Sequence, residues 1–325
     1  MAEEIKDKKR IGWVDMAKGY GILAVMTGHL VQDSPVGLFV YSFHLPLFLF
    51  LSGYLFSAED PFPVFLRKKA KKILYPYFSL GIFVVIANLL FRDGFSAAFI
   101  RGLKGELRQF LIQDRYATLW YLGMLLWITL MMYGISHIRS VLVQGAVVLA
   151  VLAAGLSYYL VAGGGSLPWN LDASLTGLIF FWAGYALKGK LEVLFKFKWP
   201  GTFVFLVLCL AANHRSLRLT GAGLEMFWIS YGHPFWVYLS AFCGIFFVVL
   251  LSDLFTLRTV RYIGRYSLIF FLWHQAIAYP FVELFFDRRR IGTVAGTVVE
   301  IVLSCLLLAG LNEVYQRVGK RRACA

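Results

Sequence analysis

The stretch YSFHLPLFLFLSGYLF, residues 41–56, decides the fold: its sixteen positions include one histidine and no residue that carries a fixed charge. The segment before it, RIGWVDMAKGYGILAVMTGHL at 10–30, is equally apolar apart from a few polar positions. Only a helix satisfies every backbone polar group within one segment in lipid, so both stretches predict membrane helices.

The composition of the whole chain agrees with this prediction. Of its 325 residues, 59% are hydrophobic and 15% are charged, whereas soluble domains have about 45–50% apolar and about 25% charged residues. That excess of apolar side chains is too large for one buried core. The composition therefore excludes a soluble globular enzyme, a disordered chain and a disulfide-stapled secreted protein.

Apolar segments recur along the chain at lengths suited to membrane crossing. No alternating ten-residue pattern indicates a barrel. We therefore predict an all-α fold, a polytopic membrane helical bundle of about ten transmembrane helices that forms one integral-membrane domain over residues 1–325. The ten segments run over 11–31, 36–56, 73–91, 119–136, 140–161, 170–187, 199–213, 232–252, 262–281 and 291–312.

Basic residues indicate the orientation of the bundle. With the N-terminus inside, the cytoplasmic stretches hold 21 Lys and Arg residues and the outer stretches hold 10, which favours two cytoplasmic termini. Residues 1–10 and 313–325 are then cytoplasmic tails, and the run Arg288–Arg290 opposes the bias. The net charge of +14 is explained by contact with membrane lipids and predicts no nucleic-acid partner.

Ionisable residues inside apolar segments are candidates for function, because burying charge in hydrocarbon costs several kcal/mol. A packing role remains open for each of them. Three histidines, His29, His44 and His274, all fall in the outer half of the predicted bilayer, so a polar cluster forms if their helices meet. The remaining candidates are Asp15, Lys18, Asp172 and Glu300.

The spacing of Lys18 and His29 places both residues on the same face of the first predicted helix. They are eleven residues apart, which at ~100° and ~1.5 Å per residue places them within ~20° on one face and ~16 Å apart along the axis. That distance resembles the length of an extended pantetheine arm, with phosphates at one end and a thioester at the other. Alternatively, Asp15 pairs with Lys18 one turn away and the pair only orients the helix.

Basic residues also open the third segment, in the run RKKAKK at 67–72. The run is explained by a positive-inside anchor, and it also suits phosphate binding beside a helix N-terminus. The four cysteines form no CxxC pair, and three lie inside apolar runs, so no metal site is predicted. The chain contains no Walker A motif, which excludes a pump with its own nucleotide-binding domain.

Taken together, these motifs resemble the opening of the membrane acyltransferase-3 family, in particular its branch of sugar O-acetylases typified by fucose 4-O-acetylase-like proteins. That family has a basic residue and a histidine eleven positions apart on its first span, then His-x-Pro-Leu-Phe and Ser-Gly-Tyr on its second. The order of motifs holds along nearly the whole chain. The matches are Lys18, His29, 44–48, 52–54, 68–77, 119–122, 177–188 and 262–275.

The resemblance implies a ten-span enzyme that takes an acyl group from cytoplasmic acetyl-CoA. The acceptor is a hydroxyl of a cell-surface glycan or lipid-linked sugar, and the location is a bacterial inner (plasma) membrane. The family's histidine corresponds to His29, its first-span basic residue to Lys18, and its paired basic motif to Lys69 and Lys72. Many relatives have arginine where this chain has lysine, which keeps the charge but loses the bidentate fork for phosphate.

A histidine can accept the proton of a sugar hydroxyl as that hydroxyl attacks a thioester. We expect His29 to be this base; a route through an acyl-imidazole on His29 stays open. Donors for the oxyanion are expected among Trp120, Tyr121, His44, His274 and Ser52, although Trp120 and Tyr121 also suit an interfacial aromatic belt. No metal is expected, because the histidines lack a carboxylate pattern.

Two other classes of protein have the same polar groups. An exporter or flippase would use buried ionisable residues as a substrate path without acyl transfer, although we find no inverted repeat. A sensor would bind acyl-CoA without turnover. The sequence leaves the sugar, the acyl chain and the oligomeric state open, a homo-oligomer included.

Overall fold

The computed structural model describes residues 11–94, 96–113, 115–163 and 165–323. Fifteen α-helices lie within these ranges, so the prediction of a helical bundle is confirmed. Their bounds are α1 Gly12–Leu30, α2 Pro35–Tyr41, α3 His44–Tyr54, α4 Phe62–Asp93, α5 Ala97–Ile112, α6 Trp120–Ser136, α7 Val141–Ala162, α8 Leu171–Ala186, α9 Glu192–Phe195, α10 Lys198–Thr220, α11 Pro234–Leu254, α12 Arg258–Arg265, α13 Ser267–Trp273, α14 Tyr279–Glu283 and α15 Thr293–Ala323.

Short turns and one hairpin connect these helices. A π-helical turn, His274–Ala278, joins α13 to α14, and 3₁₀ turns occupy Ala117–Leu119, Pro168–Asn170 and Arg288–Ile291. Strands β1 Leu224–Glu225 and β2 Ser230–Tyr231 pair antiparallel, with Leu224 opposite Tyr231. This hairpin departs from the all-α prediction.

Seven helical stretches within the described residues are long and apolar enough to cross a membrane, and each overlaps one of the ten predicted segments. The other three segments do not meet this condition, so the count of ten is not confirmed. The seven are Pro35–Tyr54, Phe62–Arg92, Ala97–Ser136, Val141–Val161, Lys198–Thr220, Pro234–Leu254 and Thr293–Arg317.

A physical reason explains why each of the three remaining segments does not qualify as a membrane-spanning helix. Asp15, Lys18 and His29 lower the mean hydropathy of α1 over 11–31. Within 170–187, α8 has 16 residues, fewer than the ~20 that span a bilayer. The segment 262–281 is divided into three helices and the π turn.

The ends of the chain differ in how much of them is described. The predicted tail 1–10 lies outside the described residues. At the other end, α15 continues through residue 323, so most of the predicted tail 313–325 extends the last helix.

Helix α1 lies inside the bundle, with ten of its nineteen residues buried. It packs against α12 through a pair of glycines. A Cβ on Gly264 would lie 1.7 Å from the carbonyl oxygen of Asp15, and one on Gly19 would lie 2.1 Å from that of Val260. The backbones of α1 and α12 therefore touch, which only glycine permits at these positions. We refer to the two ends of α1 as its Lys18 end and its His29 end.

Candidate active site

Three histidines gather at the His29 end of α1. The ring centroids of His29 and His274 are 5.2 Å apart, and that of His44 is 4.8 Å from the ring of Tyr41. A hydrogen bond of 3.1 Å joins the Tyr41 hydroxyl to His29 Nδ1. Tyr41 thus links His29 to His44, and the three histidines lie on three separate helical elements around one point.

The positions of His29 and Tyr41 depend on the ends of α1 and α2 and on the turn between these helices. His29 is in the last turn of α1, and Ser34 accepts a hydrogen bond from the Gly37 amide as the N-cap of α2. The short turn between α1 and α2 leaves no room for a side chain at Gly37, where a Cβ would lie 2.1 Å from the Val31 oxygen. This tight reversal returns the chain so that Tyr41, at the end of α2, faces His29.

Backbone carbonyls determine which nitrogen carries the proton in two of the rings. His44 donates from Nδ1 to the Val40 oxygen at 2.8 Å, and His274 donates from Nδ1 to the Phe271 oxygen at 2.9 Å. A carbonyl only accepts hydrogen bonds, so each neutral ring keeps its lone pair on Nε2. His274 Nε2 is buried and has no hydrogen-bond partner among the described residues.

A cavity of about 210 Å³ opens beside the cluster. His29, Tyr41 and His44 form one side of it, and Trp120 forms part of another. Of the predicted substrate-binding residues, Trp120 therefore reaches the cavity. Tyr121 packs on Phe271 instead, with ring centroids 5.2 Å apart. Neither Tyr121 nor Ser52 lines this cavity, so the structure does not place them with the histidines.

The hairpin supplies an acid that the sequence did not single out. Glu225 lines the same cavity as His29, together with Phe227 and Trp228 from the hairpin turn. Burial raises the pKa of Glu225 from its ordinary value of 4.5 to about 7. Near neutral pH this carboxyl therefore exists in both protonation states, which suits a group that exchanges protons or hydrogen bonds with a substrate.

The His29 end of α1 is held by residues from the other end of the sequence. The Tyr279 hydroxyl donates to the Met26 oxygen at 2.7 Å, and Arg288 Nη1 donates to the Leu30 oxygen at 2.7 Å. Arg288 also lies 3.7 Å from the buried carboxylate of Glu300. Glu300 therefore connects α15 to the end of α1 through Arg288. Arg288, one of the basic residues that oppose the charge bias, thus has a structural role.

Asp172, another candidate from the sequence, forms a buried ion pair with Arg115 at the start of α8. Its carboxylate is thus occupied by a cation from the segment before α6. The pair joins the α5–α6 connection to α8.

The three predicted donor-binding lysines lie on α1 and α4, which both pack against α13. Lys69 holds its ammonium 5.0 Å from the ring centroid of Phe56 and 5.3 Å from that of Phe65. Lys72 is exposed, and Lys18 lies part-buried on α1. Lys68, the neighbour of Lys69 in the basic run, pairs with Asp60 at 2.8 Å. Lys18 therefore lies on a different helix from Lys69 and Lys72, and the donor site stays a prediction.

Within the described residues, no group of three His, Cys, Asp or Glu side chains could hold a metal ion.

The cavity also contains Tyr41 and Glu225, which were not predicted from the sequence. Tyr41 lies three residues before His44 in the quoted stretch, and this adjacency could have identified it. For Glu225 the only signal was its place in a long outer loop.

Residues 11–309 match a family model described as an acyltransferase domain, that of the acyltransferase-3 family. The match covers nearly the whole chain, which therefore belongs to this family. The chain is a multi-pass membrane acyltransferase. No curated protein and no solved structure gives a significant match to it.

Proposed function

We propose that this acyltransferase moves an acetyl group from cytoplasmic acetyl-CoA to a hydroxyl of a cell-surface or lipid-linked carbohydrate, as the fucose 4-O-acetylase-like branch does. The observation that carries the proposal is a cavity lined by His29, Tyr41 and His44. His274 does not line the cavity itself, but its ring centroid lies 5.2 Å from that of His29. A histidine-lined cavity suits proton transfer from a hydroxyl.

Each residue of the cluster has a part in the transfer. With Tyr41 accepting a hydrogen bond from Nδ1–H, the lone pair of His29 lies on Nε2. His29 takes the acceptor's hydroxyl proton there as the new ester C–O bond forms and the thioester C–S bond breaks. It then gives the proton to the departing thiolate sulfur. Trp120, through its indole N–H, and Glu225, in its protonated form, donate hydrogen bonds to the carbonyl oxygen as it gains charge.

The donor's phosphates suit the Lys18 end of α1. Helix α1 runs without a break from Gly12 to Leu30, so ~16 Å separate Lys18 from His29 along its axis. Lys18, Lys69 and Lys72 hold the phosphates, and the thioester reaches the histidines. In this proposal α1, α8 and the α12–α14 segment complete ten passes across a bacterial inner membrane, with both termini in the cytoplasm.

The test is incorporation of radiolabel from [¹⁴C]acetyl-CoA into the envelope glycan of the producing cell by purified protein. His29→Gln should lose roughly 10²- to 10⁴-fold in rate, because an amide can hydrogen bond but cannot accept the proton. His137→Gln, at an exposed histidine on the end of α6, is the matched control and should keep full activity.

Two results would contradict the proposal. No incorporation by the wild-type protein would favour an exporter or a sensor, whereas substantial turnover by His29→Gln would reduce His29 to a positioning group.

A further inference from the structure

A second cavity of about 360 Å³ adjoins the histidine-lined one. It lies between α4, α5, the 3₁₀ turn Ala117–Leu119 and the π turn. Ala117 and Gln275 line both cavities, which therefore share these two residues as a common wall. Gln275 follows His274 directly and is exposed toward both spaces. The π turn therefore presents one residue to the histidine cluster and the next to the boundary between the cavities, a placement often seen where such turns serve function.

The second cavity is polar, and its two charged residues already have partners. Glu106 pairs with Arg92 at 2.7 Å and accepts a hydrogen bond from the Tyr116 hydroxyl at 2.6 Å. Arg115 Nη2 pairs with Asp172, and its Nε, which has no partner among the described residues, is buried out of reach of a ligand. A ligand that carried charge would have to compete with these internal pairs and bring its own desolvation cost.

The groups left for a ligand are neutral amides. Gln109 and Gln275 are exposed. Asn88 Nδ2 donates one hydrogen bond to the Tyr116 hydroxyl at 3.2 Å, and its second N–H and its Oδ1 remain for a ligand. An amide offers two donor hydrogens and an acceptor oxygen, which matches the mixed donor and acceptor character of sugar hydroxyls. The first cavity differs, because Trp120, Phe227 and Trp228 give it aromatic walls.

We infer that the second cavity is a subsite for a neutral sugar unit attached to the unit that is acylated in the first. The acceptor is then an uncharged oligosaccharide of at least two units, and the two volumes together fall within the roughly 300–1,000 Å³ typical of small-molecule sites. This inference rests on the proposed function, since it takes the first cavity as the place of acyl transfer.

The test uses envelope polysaccharide of the producing cell, cleaved by mild acid and separated by length and by anion exchange. Transfer from [¹⁴C]acetyl-CoA is measured into the neutral monosaccharide, neutral trisaccharide and acidic trisaccharide fractions. We expect the neutral trisaccharide to be the best acceptor. Asn88→Ala and Gln109→Ala should each lower kcat/KM for it by about 3- to 10-fold, the loss of one or two neutral hydrogen bonds.

The same variants should leave kcat/KM for the monosaccharide and KM for acetyl-CoA within about twofold of wild type. A change of that size is typical of a substitution that removes no contact with the substrate. The matched control is Gln316→Ala, an amide on α15 that bonds Asn312 away from both cavities. A loss shared by all acceptors, a shift in the acetyl-CoA KM, or an acidic fraction acylated as well as the neutral one would each overturn the inference.

A binding measurement separates this inference from the proposed function. Tryptophan fluorescence reports ligand entry, because Trp120 and Trp228 line the adjoining cavity. The neutral trisaccharide should bind wild type more tightly than Asn88→Ala/Gln109→Ala, whether or not transfer occurs. Binding without transfer would contradict only the proposed function, and equal binding to both proteins would overturn the subsite.

Discussion

Lys18 and His29 occupy one face of a single unbroken helix, with the charged residue at one end and the base at the other. At the residue scale this arrangement separates the two substrates. Removing the lysine should weaken binding of the acyl donor, whereas changes in the cavity at the His29 end should weaken binding of the acceptor.

The first prediction concerns Lys18. Lys18→Ala should lower donor kcat/KM by roughly 10- to 150-fold, the ~1.5–3 kcal/mol of a hydrogen bond to a charged group, with little change in the acceptor KM. Lys18→Arg should keep most activity, because it retains the charge and can contact phosphate through two nitrogens. Equal losses for both substrates in a folded variant would instead identify Lys18 as a structural partner of Asp15.

Glu225 gives a prediction about stability and pH. Its pKa of about 7 in the folded protein exceeds that of the unfolded chain, so folding favours the protonated form. The stability that this proton supports is complete below pH ~4.5 and is lost as pH rises toward 7. Glu225→Gln, which cannot ionise, should therefore gain stability relative to wild type across this range, by at most about 3 kcal/mol at pH 8.

The measurement is thermal unfolding in detergent at pH 5, 6, 7 and 8. Glu59→Gln, at an exposed acid, should show no such trend. A difference between Glu225→Gln and wild type that stays constant with pH would show that burial does not disfavour the Glu225 carboxylate.

At the scale of elements, the contact between α1 and α12 depends on the absence of side chains. Gly264→Ala would force a methyl group to within 1.7 Å of the Asp15 oxygen, so we expect a loss of about 1–3 kcal/mol or failure to fold. Gly134→Ala is the matched control, because nothing lies within 4 Å of its added Cβ. It should be neutral or stabilising by up to about 1 kcal/mol.

Thermal unfolding and the monodisperse fraction after purification measure both variants. A Gly264→Ala protein as stable as Gly134→Ala would show that α1 and α12 can separate at little cost.

The elements also show what the sequence could and could not predict. Long apolar helices were predictable, because in lipid only a helix satisfies every backbone polar group within one segment. The π turn was not predictable. His274, Gln275 and Pro280 interrupt the apolar run FLWHQAIAYP, but such residues do not specify a π turn, which packs against α4 and α15. The β-hairpin was not predictable either, because its strands have only two residues each.

The candidate site was predictable in its histidines and not in their surroundings. His29, His44 and His274 were marked because imidazoles are rare in lipid-facing segments, and a common depth followed from helix rise. Their meeting, by contrast, depends on how α1, α3 and the π turn pack. Glu225 enters the cavity from a hairpin that folds over it, and no spacing along the chain indicates such a contact.

At the scale of the whole molecule, the orientation remains a prediction from charge. In a variant without its native cysteines, single cysteines at Gly165 and Arg215 should react with a membrane-impermeant thiol reagent in intact cells. Cysteines at Glu59 and Lys190 should react only after lysis. All four positions are exposed in the structure.

The reverse pattern would place the Lys18 end outside the cell. The proposed delivery of cytoplasmic acetyl-CoA along α1 would then have to be abandoned.

The contacts that hold α1 also bear on how the protein is made. Tyr20 donates to the Phe255 oxygen, Met26 accepts from Tyr279 and Leu30 accepts from Arg288, so its partners lie 235 to 258 residues further along the chain. At ~5–20 residues per second the ribosome needs about 12–50 s to supply them. During that time α1 lacks these final neighbours. Chains shortened before Tyr279 should therefore be cleared by membrane proteases, even though they contain most of the helices.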